Sequence, residues 1–141
     1  MKALFDSSAF AKRYVEEIGS QAVDDICRAT TTLGLSVLCA PEIISALNRR
    51  VREKLLSRQD YLAAKASLAG DLADVVVINL TPTVIARATF LLETNKLRAM
   101  DALHIGCALE WGAGLFVTSD SRQVKAAKRA GLTVKYVGSD E

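Results

Sequence analysis

The chain has 141 residues, half of them apolar, with 18 Lys and Arg against 16 Asp and Glu for a formal net charge of +2. That length suits one domain around a continuous core, so residues 1–141 are expected to form a single domain. The near balance of charge excludes a dedicated nucleic-acid coat protein, and any basic residues that meet nucleic acid have to be grouped locally.

In chain order, the apolar run at residues 3–5 predicts a first strand, and the run at 33–38 a second. Pro41 suits a first helical position, after which Ile44, Leu47, Val51 and Leu55 fall on one face. Ser57 can cap the next helix, which runs to about Leu72 with Leu62, Ala66, Ala69 and Leu72 as its apolar stripe. A third strand is expected at 75–80, where Val75 to Ile78 lack a polar alternate, as in strands buried on both faces. Pro82 opens a helix through Leu92, Asp101 opens another, and Ser121 begins one that Gly131 closes. Strands at 115–117 and 133–137 complete an alternation of strand and helix, the pattern of an α/β fold with a parallel sheet covered on both faces.

Cys27, Cys39 and Cys107 have no CxxC spacing, so they read as small core residues rather than a disulfide framework or zinc knuckle. Asp6 interrupts the N-terminus before a signal peptide can build, and no apolar run is long enough to span a bilayer. No membrane association and a cytoplasmic location are expected.

Asp6 directly follows the first predicted strand, Glu42 follows the second at the mouth of a helix, and Asp120 follows the fourth, while Asp101 opens the run DALHIGCAL. In an open parallel sheet the carboxyl ends of the strands form the edge where ligands bind. Each acid alone reads as a helix cap. Together, with hydroxyls beside them at Ser8, Thr118 and Ser119, they suggest a shared site. Four carboxylates brought together need a cation or a shared proton, and hard oxygen ligands favour Mg²⁺ or Mn²⁺. Such an ion lowers the pKa of bound water and neutralises a leaving oxygen.

Four blocks carry a family resemblance: LFDSSA at residues 4–9, PEIISAL at 41–47, LRAMDALH at 97–104 and VTSD at 117–120. They resemble the PIN-domain nucleases, most closely the VapC-like toxins, and AAKRAGLTV at 126–134 is similar to the family's closing helix and strand. The resemblance implies a three-layer α/β/α fold with a five-stranded parallel sheet of order 3-2-1-4-5. It implies an acidic, Mg²⁺- or Mn²⁺-binding site on Asp6, Glu42, Asp101 and Asp120, supported by hydroxyls at Ser8 and Thr118 or Ser119. The implied activity is endoribonuclease cleavage of RNA by the toxin of a type II toxin-antitoxin pair. The expected partners are a cognate VapB-like antitoxin and a second copy in a homodimer. Pro41 and Met100 depart from the family's usual small residues without removing a carboxylate.

Arg49, seven residues after Glu42, lies on nearly the same helical face and is a candidate for an RNA-phosphate contact. Arg98, Arg122, Lys125, Lys128 and Arg129 are further basic candidates that read first as solvated surface. His104, the only histidine, and Trp111 read first as structural. The main alternative function is a PIN-like module that binds a partner without cutting. A phosphoacceptor receiver domain would need an early acidic doublet and a Lys after the last strand, and an aspartyl phosphatase would need Asp where Ser8 stands.

Overall fold

A computed structural model describes residues 1–139. Five strands, β1 (Lys2–Phe5), β2 (Thr32–Ser36), β3 (Val76–Ile78), β4 (Leu115–Thr118) and β5 (Val134–Tyr136), pair in parallel in the order β3-β2-β1-β4-β5. This is the order the resemblance implies. The chain builds outward from β1 to β3, then crosses to the other side of β1 for β4 and β5. The reversal therefore falls between β1 and β4, where loops diverge to opposite faces and leave a crevice at the carboxyl edge.

Helices α1 (Ser7–Phe10), α2 (Ser20–Ala29), α3 (Cys39–Arg52) and α4 (Arg58–Asp74) supply one layer, and α5 (Pro82–Thr94), α6 (Ala99–Trp111) and α7 (Ser121–Arg129) the other. Alternation along β1 divides the core between them. Ala3 and Phe5 join Phe10, Val23, Ile43 and Leu47 on the first face, whereas Leu4 joins Val84, Ile105 and Phe116 on the second. Local chemistry sets the boundaries: Ser57 accepts from the Asp60 amide at 3.0 Å, Thr81 accepts from Val84 at 3.2 Å ahead of Pro82, and Gly131 turns the chain at φ 98° after α7. A Cβ at Gly106 would stand 3.1 Å from the Val84 carbonyl oxygen, so glycine lets α6 lie almost backbone to backbone on α5.

Three expectations need correction. α3 starts at Cys39, ahead of Pro41, and its fully buried line is Cys39, Ile43 and Leu47; Lys54 turns left-handed at φ 60°, leaving Leu55 beyond the helix and 68% exposed. On α4 the buried line is Tyr61, Ala64 and Leu68, while Leu62, Ala66 and Ala69 face outward. That helix carries small apolar residues all round, so periodicity has no strong stripe to report and Tyr61 decides the face. β3 is an edge strand, and Val76 and Val77 are each 41% exposed rather than buried on both sides. Cys39 and Cys107 are buried, Cys27 is half-buried, and Trp111 packs over Gly34, where a Cβ would meet its ring at 2.7 Å. No helix among the described residues is long and apolar enough to cross a membrane.

Candidate active site

Asp6 is the first residue past β1, and its amide extends the ladder by donating to the Val117 carbonyl at 3.0 Å. Its side chain caps α1: Oδ1 accepts from the Ala9 amide at 2.9 Å and from Ser8 Oγ at 2.8 Å, and Oδ2 accepts from Thr118 Oγ1 at 2.6 Å. The carboxyl group is 1% exposed and all three of these donors are neutral. Burial pushes the Asp6 carboxyl above its ordinary value despite the hydrogen bonds from Thr118, Ala9 and Ser8 and the nearby charge of His104.

Glu42 lies in the first turn of α3 and reaches across to two other helices. Its Oε1 accepts from Ser7 Oγ of α1 at 2.6 Å and lies 2.5 Å from His104 Nε2 of α6, with Ser7 and His104 themselves 3.2 Å apart. A carboxylate acceptor assigns the Nε2 proton to His104, which leaves a buried Nδ1 without a hydrogen-bond partner among the described residues. Burial raises the Glu42 carboxyl, but the bonds from His104 and Ser7, with the charges of His104 and Arg98, outweigh it and hold the group below its ordinary value.

The third corner joins α6 to α7. Asp101, at the third position of α6 and 4% exposed, accepts from Gln123 Nε2 at 3.0 Å through Oδ1 and from Arg98 Nε at 3.2 Å through Oδ2. Asp120 caps α7, accepting from the Arg122 amide at 3.0 Å; Arg122 Nη2 lies 3.1 Å and Arg98 Nη2 3.5 Å from its Oδ2. Burial raises the Asp120 carboxyl, but the hydrogen bonds and charge of Arg122, aided by Arg98, bring it below its ordinary value. Thr118 joins this corner to Asp6, since its hydroxyl donates to Asp6 and accepts from the Asp120 amide at 3.0 Å.

The structure thus brings Asp6, Ser8, Thr118 and Asp120 into one hydrogen-bonded unit and ties Asp101 to Asp120 through Arg98. Ser119 takes part through its amide, which donates to Ser8 Oγ at 3.1 Å. Arg49 is exposed and, among the described residues, bonds to none of the acids; its neighbour Arg50 pairs with Glu17 at 3.0 Å. Sequence reasoning passed over Ser7 and Gln123 and placed His104, Arg98 and Arg122 among structural or surface residues. The i to i+3 spacings of Arg98 with Asp101 and of Asp101 with His104 are the signals that point to them.

As the side chains stand, no three Asp, Glu, His or Cys residues among those described are grouped closely enough to hold a metal ion. The donor set nevertheless fits a hard divalent cation, being four carboxylates with hydroxyls around them and no thiolate. Asp6 carries the fit, because a buried carboxylate with only neutral donors gains most from added positive charge.

Residues 3–129 match the PIN domain family. The chain is similar to ribonuclease VapC45 of Mycobacterium tuberculosis, with 34% identity over 135 residues and 92% of each chain covered. Among solved structures it is similar to VapC20 of Mycobacterium tuberculosis, described as a sarcin-ricin loop cleaving toxin, at TM-score 0.69 and 17% identity over 93% of this chain and 96% of that one. It is likewise similar to VapBC2 of Rickettsia felis bound to a promoter DNA fragment, at TM-score 0.69 and 13% identity over 96% and 98% of the two chains.

Proposed function

This chain belongs to the PIN-domain family, and from that premise we propose that it is a Mg²⁺- or Mn²⁺-dependent endoribonuclease, the toxin of a toxin-antitoxin pair. The observation that carries the reading is Asp6: a fully buried carboxylate at the point where strand order reverses, oriented by two hydroxyls and an amide and lacking a direct cationic partner among the described residues. Asp6, Glu42, Asp101 and Asp120 would hold the metal, with Ser8 and Thr118 fixing the inner carboxylate. Bound there, a divalent ion supplies an activated water and neutralises charge on the leaving oxygen.

The chain's own residues do the rest. Thr118 and Ser8 deny Asp6 rotational freedom, which preorganises the inner ligand. Glu42 and His104 hold a proton between Oε1 and Nε2, a place from which one can be given or taken. Arg98 and Arg122 keep positive charge at the outer carboxylates, where a scissile phosphate would arrive. Homodimerisation and capture by a VapB-like antitoxin are part of the same proposal. Exposed Leu62, Phe90 and Val77 offer apolar area for such contacts, and an antitoxin Arg or Lys could compete at carboxylates that already accept guanidinium groups.

The test is cleavage of a structured RNA by purified protein with Mg²⁺ or Mn²⁺, with and without EDTA, alongside Asp6→Asn and Asp120→Asn. Metal-dependent cutting lost in both variants is the expected result. Cleavage that survives EDTA, or variants that cut at the wild-type rate, would remove the metal-dependent reading, and a wild-type protein that binds RNA without cutting it would favour the non-cleaving module.

A further inference from the structure

Beside the acidic centre, between the connection from α5 to α6 and the exposed face of α7, runs a groove of about 950 Å³. Lys96, Arg98, Arg122, Lys125 and Arg129 line it, against a single acid among the described residues, Glu93. In a chain whose formal charge is only +2, this is a concentrated positive surface. Helical geometry makes it continuous: Arg122, Lys125 and Arg129 are spaced by three and four residues, so they stand one above another along one face of α7. Buried Gln123 and Ala127 hold the far side of that helix against the protein, and buried Ala126 forms part of the groove's lining.

We infer that this groove seats the phosphate backbone of the RNA and leads it to the acidic centre, an assignment that rests on the ribonuclease reading above and gives it a direction. One feature selects RNA backbone over an acidic peptide. The groove ends at Arg98 and Arg122, whose guanidinium groups stand on Asp101 and Asp120. Peptide carboxylates led there would meet four more carboxylates, whereas on the ribonuclease reading a phosphodiester would arrive where Asp6, Glu42, Asp101 and Asp120 would hold the metal that offsets its charge. In addition, Lys96 and Lys125 have no acidic partner among the described residues, and Arg129 touches only the Asn95 side-chain oxygen, at 3.4 Å. These cations remain available to a polyanion. No aromatic side chain lines the groove, so bases have no stacking platform there and the contact reads charge more than sequence.

The test measures RNA binding apart from cutting, by fluorescence anisotropy of a labelled single-stranded RNA with Asp6→Asn protein across a salt series. Adding Lys96→Glu and Lys125→Glu should weaken binding by tenfold or more and flatten the salt slope by about 1.4, the loss of two phosphate contacts on a single strand. Lys65→Glu with Arg28→Glu, an equal change of net charge at exposed positions on α4 and α2, should change neither. Equal losses from both pairs, or no loss from the groove pair, would overturn the assignment, as would displacement of the RNA by polyglutamate at matched charge concentration. Should the groove pair bind normally while wild-type protein cuts RNA, the groove assignment falls and the ribonuclease reading stands. Groove-dependent binding by a wild-type protein that never cuts would leave the groove standing and remove the ribonuclease reading.

Discussion

Asp6 and Asp120 end neighbouring strands, yet their carboxylates sit in opposite electrostatic settings. Asp6 caps α1, meets only hydroxyl and amide donors among the described residues, and is pushed above its ordinary value by burial. Asp120 lies nearer the rim, where burial is outweighed by Arg122 and Arg98 and the carboxyl is held below its ordinary value. One hydroxyl, that of Thr118, touches both residues. Depth therefore divides the two settings: the inner acid is met by neutral donors, while the outer acid carries two guanidinium groups supplied by its own chain.

The largest expected effect breaks the inner half of this contrast. Asp6→Asn should lower RNA cleavage by well over about 100-fold, beyond the range typical for residues that only support metal ligands. It should also raise the melting temperature of metal-free protein at pH 7. A carboxyl whose folded pKa is raised contributes stability that is present below its unfolded value, near 3.8, and is lost as pH rises through the folded value. Asn cannot ionise and avoids that loss, so the gain should shrink as pH falls toward 4. Melting curves at several pH values check this, and a destabilised Asp6→Asn at neutral pH would contradict it.

Next in size is Thr118→Val, which removes the hydroxyl shared by the two acids and leaves Asp6 Oδ2 and the Asp120 amide without it. Denaturant unfolding should show a loss of about 1–3 kcal/mol, the cost of buried polar groups left unpaired. His104→Leu sharpens the contrast at the Glu42 corner, where the carboxyl should titrate higher once its His104 hydrogen bond is gone; His104→Gln, which can still donate, should recover part of the change. Carbon-detected NMR titration of Glu42 measures both. The smallest effect on stability belongs to Arg122→Ala. Its side chain is mostly exposed, so the melting temperature should scarcely move, while the Asp120 carboxyl should rise toward its ordinary value in the same titration.

Much of this arrangement is legible in the sequence because backbone logic dictates it. Asp6 and Asp120 follow strands, and a parallel sheet delivers such residues to one edge whatever their side chains later touch. The strand order itself came through family resemblance rather than periodicity. Side-chain partnerships are less legible. Ser7 and Ser8 are adjacent, but successive positions on a helical turn point about 100° apart, so Ser8 bonds to Asp6 and Ser7 to Glu42. His104 reads as a core histidine because its run is apolar, and only the meeting of side chains from α3 and α6 at the carboxyl edge of the sheet supplies Glu42 as a partner. On α4 small residues on every side hide the buried face, and at β3 an apolar run does not distinguish an edge strand from a central one.

Gly106 ties these regions together mechanically. Its missing side chain lets α6 rest on the Val84 carbonyl, and the same helix carries Asp101 and His104. Asp101 lies five residues toward the amino end, about 7.5 Å along the axis at 1.5 Å per residue. An added Cβ at 106 requires the Val84 carbonyl to give by a few tenths of an ångström, and a bulkier side chain there should push α6 off α5 and so strain the hydrogen bonds that Asp101 and His104 make with Gln123 and Glu42. The distance between two helix backbones is in this way a setting of the acidic centre, adjusted from a position that touches none of its side chains.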